Sequence, residues 1–362
     1  MLRFSKNFKV LYVNDHSFNQ FFRGFLHKEK LFYKVNDNLT VYSPFAFPTF
    51  QKSLSLSIYL NKILLPLLAK NKTKKINGDK LILWLYHPRY INLIGKFKEE
   101  LVIYDCMDDF TSLISPYEDR EKNFKDEREL LKRADIVFAG GYSIADLKKK
   151  LRKDIHVFPS AVDTEHFKKA LLDSTEIPDD IKDIKHPILG YWGAIDERIN
   201  HRLLESLALR HPDWSIVLLG PIVKQKIKNI SYLDRVKNIF WLGAKEYSLL
   251  PNYAKAFDIC LNPFIMTREG KHLSPTKTLE YLATGKPVIS TPIIDVVKFY
   301  EGIVNIADNL EKFEMEVKRC LKEEADETMK LKRISFTANK TWEDTIRKME
   351  ELIINKIKNK PS

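Results

Sequence analysis

A chain of 362 residues exceeds the roughly 250–300 residues over which one hydrophobic core keeps growing, so two domains of about 150 to 200 residues are expected. With 44% hydrophobic and 30% charged residues, 12 Gly and 16 Pro, the composition is globular and excludes collagen-like and disordered chains. Three cysteines, Cys106, Cys260 and Cys320, form no CxxC pair, which disfavours a disulfide framework or a zinc site and fits a reducing compartment. The opening MLRFSKNFKVLYVNDH has no apolar signal-peptide core, and no stretch reaches the roughly 18 apolar residues that span a bilayer, so a soluble or peripheral protein is expected. The net charge of +12 is uneven. Residues 1–100 carry 17 Lys/Arg against 6 Asp/Glu, and the rest 43 against 42. Such asymmetry points to a polyanionic partner, either nucleic acid or an anionic membrane surface.

The first half alternates short apolar runs with helical patterns. Lys9–Val13, Leu81–Leu85, Leu101–Tyr104, Asp135–Ala139 and Ile155–Phe158 have strand length and sharp borders. Several stay apolar on both faces, as parallel strands covered by helices on each side do. Phe124–Arg133 and Ser143–Leu151 read as helices, the second opening on Ser143 as N-cap with Asp146 three residues on. A polar stretch, residues 169–186, reads as a linker. A second alternation follows: ILGYW, a helix over Arg202–Leu209, Ser215–Gly220, Asn238–Gly243, a helix near Ser248–Ala256, DICLNPF, a helix over Thr276–Ala283, PVIST and GIVNIA. Glu311–Lys358 reads as helix with a break near Ser335–Thr341. The expected architecture is two doubly wound α/β domains facing each other across a cleft, residues 1–168 and 187–335, with a C-terminal helix, residues 336–362, packing back on the first.

In open α/β sheets ligands bind beyond the carboxyl ends of the strands. The clearest such segment is SPTKTLEYLATGKPVIST, Ser274–Thr291. Ser274 reads as N-cap, Pro275 as the first helical residue, and Gly285 with Pro287 as the stop. A helix N-terminus at the mouth of a sheet is an anion site. Lys277 in the first turn opposes the helix dipole, which makes sense if an anion normally occupies the site. Glu280, on the same face, is placed to accept hydrogen bonds from paired hydroxyls such as those of a ribose. The alternative is an ordinary Lys277–Glu280 ion pair.

Together with GYWGAIDER, NIFWLGAKEYSLLPNYAKAFDICLNPF, YDCMDDF and ADIVFAGGYSIADLKKK followed by HVFPSAVDTEHF, this segment resembles bacterial nucleotide-sugar glycosyltransferases of the GT-B fold. The likeness is to family-four-like enzymes of teichuronic-acid and capsule synthesis, and to the membrane-associated glucuronosyltransferase of xanthan assembly. It covers most of Tyr104–Pro292. It implies two Rossmann-like domains, ribose contact by Glu280, and diphosphate contact by Lys277 and the amides around Ser274, Pro275 and Thr276. It also implies a loop from Gly193 to Arg198 under the phosphates, with Arg198 as a second clamp unless it is a solvated arginine at a helix start. Fixed cations and backbone dipoles can stabilise a departing diphosphate without a metal. Retaining members carry a glutamate eight residues before the ribose-binding one; that position here is His272, with Glu269 near but out of register. His272 is then either a contact to donor sugar or phosphate or an exposed loop histidine.

Asp105, Asp108 and Asp109 follow a strand. Adjacent carboxylates can raise one another's pKa and supply a general base, which makes Asp108 and Asp109 candidates. Alternatively Asp105 is a buried structural partner and the pair caps a helix near Phe110. Their spacing is not a DxD motif, so no metal and no cofactor are expected. His16, after the first strand, is a second base candidate. Leu54–Lys75 joins an apolar stretch, kinked at Pro66, to five lysines, and reads as an interfacial helix on anionic lipid or as a core helix with a solvated lysine loop. The expected function is sugar transfer from a nucleotide-diphosphate donor, UDP-linked, to a cell-surface polysaccharide or lipid-linked oligosaccharide at the cytoplasmic face of the membrane. A non-catalytic nucleotide-sugar binder or an epimerase of the same fold stands beside it. A nucleic-acid-binding role lacks any HTH, RRM or zinc pattern.

Overall fold

The structure, a computed structural model, describes residues 1–13, 32–42, 80–109, 120–223, 235–267, 270–322 and 326–360. His16, Glu269, residues 54–75 and the helix expected near Phe110 lie outside them. The chain divides into two units: Met1–Asp105 with Tyr117–Val137 and Ile346–Ser362, and Cys106–Pro116 with Phe138–Thr345.

The second unit holds a six-stranded sheet of β8 (Ile188–Trp192), β9 (Ser215–Leu219), β10 (Ile239–Gly243), β11 (Ile259–Asn262), β12 (Val288–Ser290) and β13 (Asn305–Ile306). The order is β10-β9-β8-β11-β12-β13, and neighbouring strands pair parallel. Numbered from β8, that is 3-2-1-4-5-6, the Rossmann order, whose switch point falls between β8 and β11. The unbroken apolar runs are explained by burial on both faces: every residue of β8, β9, β11 and β12 is buried. Helices α4 (His201–Arg210), α5 (Leu250–Ala256), α6 (Thr276–Ala283), α7 (Ile294–Phe299) and α8 (Leu310–Lys322) connect and cover these strands. On α6, Leu279, Leu282 and Ala283 are buried at helical spacing, and each leucine contributes roughly 1.5–3 kcal/mol by leaving water.

Two smaller sheets follow the N-terminal runs. β4 (Ile82–Leu85), β5 (Leu101–Cys106), β6 (Ile136–Ala139) and β7 (Ile155–Val157) lie in the order β4-β5-β6-β7. β1 (Val10–Val13), β2 (Phe32–Asn36) and β3 (Leu39–Tyr42) form a sheet of order β1-β3-β2. The β2–β3 hairpin is absent from the sequence expectations because its turn is built by a side chain: Asn36 Oδ1 accepts from the amides of Asn38 and Leu39 at 2.9 and 2.8 Å. In the first unit, Tyr104 Oη donates to the buried Glu127 of α1 (Arg120–Arg133) at 2.9 Å.

The helix of Ser143 starts earlier than expected, as α2 (Tyr142–Lys148), with Gly141 as an N-cap that makes no side-chain bond. Ser143 donates its own amide to Asp295 Oδ1 at 2.8 Å, and its hydroxyl is buried without a partner, so Asp295 does the work expected of the serine. The short α3 (Thr164–Lys168) is capped by Asp163. The expected break near Ser335–Thr341 falls between α9 (Glu327–Thr337) and α10 (Trp342–Lys358), and an additional break separates α8 from α9. The additional start is explained by Asp326, whose carboxylate accepts from the amides of Thr328 and Met329. From Ile346 onward α10 belongs to the first unit, where Asn7 Nδ2 donates to Glu350 Oε2 at 2.8 Å. No described helix is long and apolar enough to cross a membrane.

Candidate active site

At the switch point, α6 is anchored to both central strands. Tyr281 Oη accepts from the Trp192 amide at the end of β8, at 3.1 Å. Asn262 Nδ2, at the end of β11, donates to Thr278 Oγ1 at 2.9 Å, both residues being fully buried. Pro275 is the N-cap and Ser274 precedes it, one position later than expected, because Pro275 takes an extended ψ of 106°. The first turn thus presents Thr276 and Lys277 at the strand ends.

Lys277 and Glu280 do not pair with each other, contrary to the ion-pair alternative. Glu280 Oε2 accepts from Trp192 Nε1 at 2.8 Å. Lys277 makes no hydrogen bond or ion pair with any described residue; its stem lies over Gly193. A Cβ at Gly193 would fall 2.1 Å from Lys277 Cε, and φ there is +143°, so close approach and backbone both demand glycine. Burial pulls the Lys277 ammonium below the usual lysine range, the Glu280 charge opposing and the Arg198 charge assisting. Burial likewise lifts the Glu280 carboxyl, against the Trp192 hydrogen bond and the charges of Lys277 and His166. Each charge is held at a cost that a ligand of matching charge and hydroxyls would relieve.

Arg198 is not a loose clamp. Its Nε and Nη2 are engaged by the buried carboxylate of Asp196 at 3.0 and 2.7 Å, and Asp196 Oδ1 also accepts from its amide. This bidentate grip, the largest cause, raises the guanidinium pKa further and fixes the charge near Lys277. His272 ends a short 3-10 turn, Gly270–His272; it is half-buried, with Nδ1 lacking a hydrogen-bond partner. Among the described residues no three His, Cys, Asp or Glu side chains converge to hold a metal.

The three aspartates after β5 have separate fates. Asp105 is 4% exposed; its Oδ2 accepts from Trp84 Nε1 at 3.1 Å while Oδ1 has no partner, and burial pushes its carboxyl up to about 6. Asp109 is clamped by Lys148 Nζ at 3.0 Å, with both side chains under 10% exposed. Asp108 is exposed, and no described residue bonds its carboxylate. The protein packed around it still raises its pKa, Arg198 opposing and Asp109 assisting. Of the two carboxylates singled out in the sequence, Asp108 alone keeps the freedom a base requires. Trp192, Asp196, Asn262 and Lys148 were not singled out: each touches its partner across 2 to 88 residues of sequence, and only Trp192 carries a signal, as an indole ending an apolar strand.

Solved structures share this fold. Sucrose-phosphate synthase from Thermosynechococcus elongatus is 14% identical with a TM-score of 0.68, covering 90% of this chain and 86% of that one. Anabaena HepE, solved in complex with UDP, is 13% identical with a TM-score of 0.66, covering 96% of this chain and all of that one. Residues 186–323 match the family described as Glycosyl transferases group 1. The chain is a glycosyltransferase of the GT-B fold. It is 27% identical over 300 residues to the teichuronic acid biosynthesis glycosyltransferase TuaH of Bacillus subtilis (strain 168), a match covering 79% of this chain and 75% of that protein.

Proposed function

We propose that the enzyme transfers a sugar from a UDP-sugar to a cell-surface polysaccharide or lipid-linked acceptor at the cytoplasmic face of the membrane, without a metal ion. Residues 187–335 form the donor domain and residues 1–168 the acceptor domain. The observation that carries this reading is the Lys277 ammonium over Gly193, unpaired among the described residues, in the first turn of a helix pinned to the switch point. Lys277 and the amides around Thr276 neutralise the leaving diphosphate, with the fixed charge of Arg198 behind them. Glu280, oriented by Trp192, accepts the ribose hydroxyls. His272 stands one turn before α6, where it meets the donor sugar or phosphate. Asp108 takes the proton of the acceptor hydroxyl, its raised pKa bringing it nearer the range of an efficient base.

The UDP complex of HepE supports the donor class, TuaH supports a cell-surface glycan, and the basic first hundred residues support an anionic membrane. The test is calorimetric titration of UDP into wild type and Lys277→Ala, followed by turnover of radiolabelled UDP-sugars with membrane lipid present. Unchanged UDP affinity in Lys277→Ala would sink the assignment of the donor site.

A further inference from the structure

The segment that carries Asp108 is restrained on both sides of that residue. Before it, the backbone leaving β5 packs against the loop after β6. Gly140 donates its amide to the Cys106 carbonyl at 2.9 Å, and a Cβ at Gly140 would fall 3.1 Å from both the Cα and the carbonyl oxygen of Met107, so a side chain there would crowd the approach. The buried Cys106 also donates its thiol to the Asp108 carbonyl at 3.4 Å. After Asp108 the restraint is ionic: Lys148 Nζ, at the end of α2, reaches Asp109 Oδ1 at 3.0 Å, with the two side chains 6% and 9% exposed.

These restraints treat two neighbouring carboxylates differently. A carboxylate gripped by a buried ammonium cannot swing toward a substrate, whereas the Asp108 carboxylate, one residue earlier, is exposed and bonded by no described residue. The charge of Arg198 acts on Asp108 and on Lys277 alike, which places the exposed carboxylate within electrostatic reach of the donor site. A buried ion pair is a poor source of stability, because a well-packed apolar pair of similar volume serves as well or better. Its presence next to the base therefore calls for a reason other than stability. Precision supplies one, since a displacement of about 1 Å in a reacting group can cost roughly a hundredfold in rate.

We propose that Lys148 and Asp109 are positioning residues for Asp108: their buried ion pair fixes the chain so that the Asp108 carboxylate, and not its neighbour, meets the acceptor hydroxyl. The proposal rests on Asp108 as the base in the reading above. Lys148→Met combined with Asp109→Leu separates positioning from stability, because an apolar pair can replace a buried ion pair at little cost to the fold. With radiolabelled UDP-sugar and membrane lipid, this variant should melt near wild type and keep its UDP affinity and donor KM, yet lose about a hundredfold in kcat. Added to Asp108→Asn it should cost nothing more, since it acts through that carboxylate. Lys148→Arg, which keeps the cation, should retain most of the rate. Burial raises the Asp108 carboxyl first and the Asp109 charge adds to it, so Asp109→Asn should move the acidic limb of the kcat profile to lower pH, a shift that lost stability alone does not produce. Wild-type kcat in the apolar-pair variant, or a loss that multiplies with that of Asp108→Asn, would overturn the positioning role. If the apolar pair fails to fold, Asp109→Asn decides: wild-type kcat with an unmoved limb overturns the role equally. Wild-type turnover in Asp108→Asn would instead remove the base itself, so the two failures are told apart.

Discussion

The α6 site and the end of β5 present opposite treatments of charge. On α6, two residues spaced to neutralise each other are kept apart: Glu280 is held by Trp192, and Lys277 lies over Gly193 with no partner among the described residues. After β5, three aspartates within five residues are sorted by surroundings into a buried acid, a clamped anion and an exposed carboxylate. The first arrangement leaves charge unsatisfied where a ligand can complete it. The second removes two of three charges from solvent. Identical side chains therefore have separate chemistry, and the difference lies in burial and partners rather than residue type.

The largest effect expected from breaking this contrast is at Asp108. Asp108→Asn should lower kcat by roughly 10²–10⁴, the range for loss of a general base, with UDP affinity unchanged. The rise of kcat with pH through an apparent pKa above the ordinary carboxylate range should vanish with it. A variant retaining wild-type turnover would move the base elsewhere, His16 first. Asp109→Ala should instead destabilise the fold by about 3–5 kcal/mol, because it removes the carboxylate held at 3.0 Å from the buried Lys148 ammonium; urea unfolding measures this, and a loss under 1 kcal/mol would contradict the clamp. Lys277→Ala should weaken UDP binding about tenfold to a hundredfold, as expected for charge-assisted hydrogen bonds of roughly 1.5–3 kcal/mol.

The smallest effect concerns Asp105 and sharpens the contrast by pH. Its folded carboxyl is raised from 3.8 to about 6, so the folded state binds the proton more tightly than the unfolded chain. The stability this contributes is full below about pH 4 and is lost as pH rises through about 6, on the order of 2 kcal/mol. Asp105→Asn keeps an oxygen for Trp84 Nε1 and should abolish that decline, raising the melting temperature at pH 7 relative to wild type. Parallel stability–pH curves for the two proteins would show that Asp105 does not titrate as described.

Much of the second unit was legible in the chain. Strands β8, β9, β11 and β12 read as mainly apolar runs because they are buried along their whole length, and every strand but the two-residue β13 was found within about two residues of its observed ends. α6 matches its expected span because proline before it and glycine after it stop the helix on both sides. The β2–β3 hairpin was not legible, because its signal is the Asn36 side chain bonding its own turn and its strand β2 is exposed along its described length. Three capping expectations shifted for similar reasons: Asp295 replaces Ser143, Pro275 replaces Ser274, and Asp326 starts a helix where continuous periodicity was read.

Sequence alone determined the alternation of strands and helices, the lysine in the first turn of α6, and the concentration of positive charge in the first hundred residues. These are local properties of pattern and composition. Tertiary structure decided which charges are paired. Trp192 and Glu280 lie 88 positions apart, and Asp109 and Lys148 lie 39 apart. No spacing rule reaches that far, because such pairs are made by the order of strands in a sheet and the depth at which each side chain is buried.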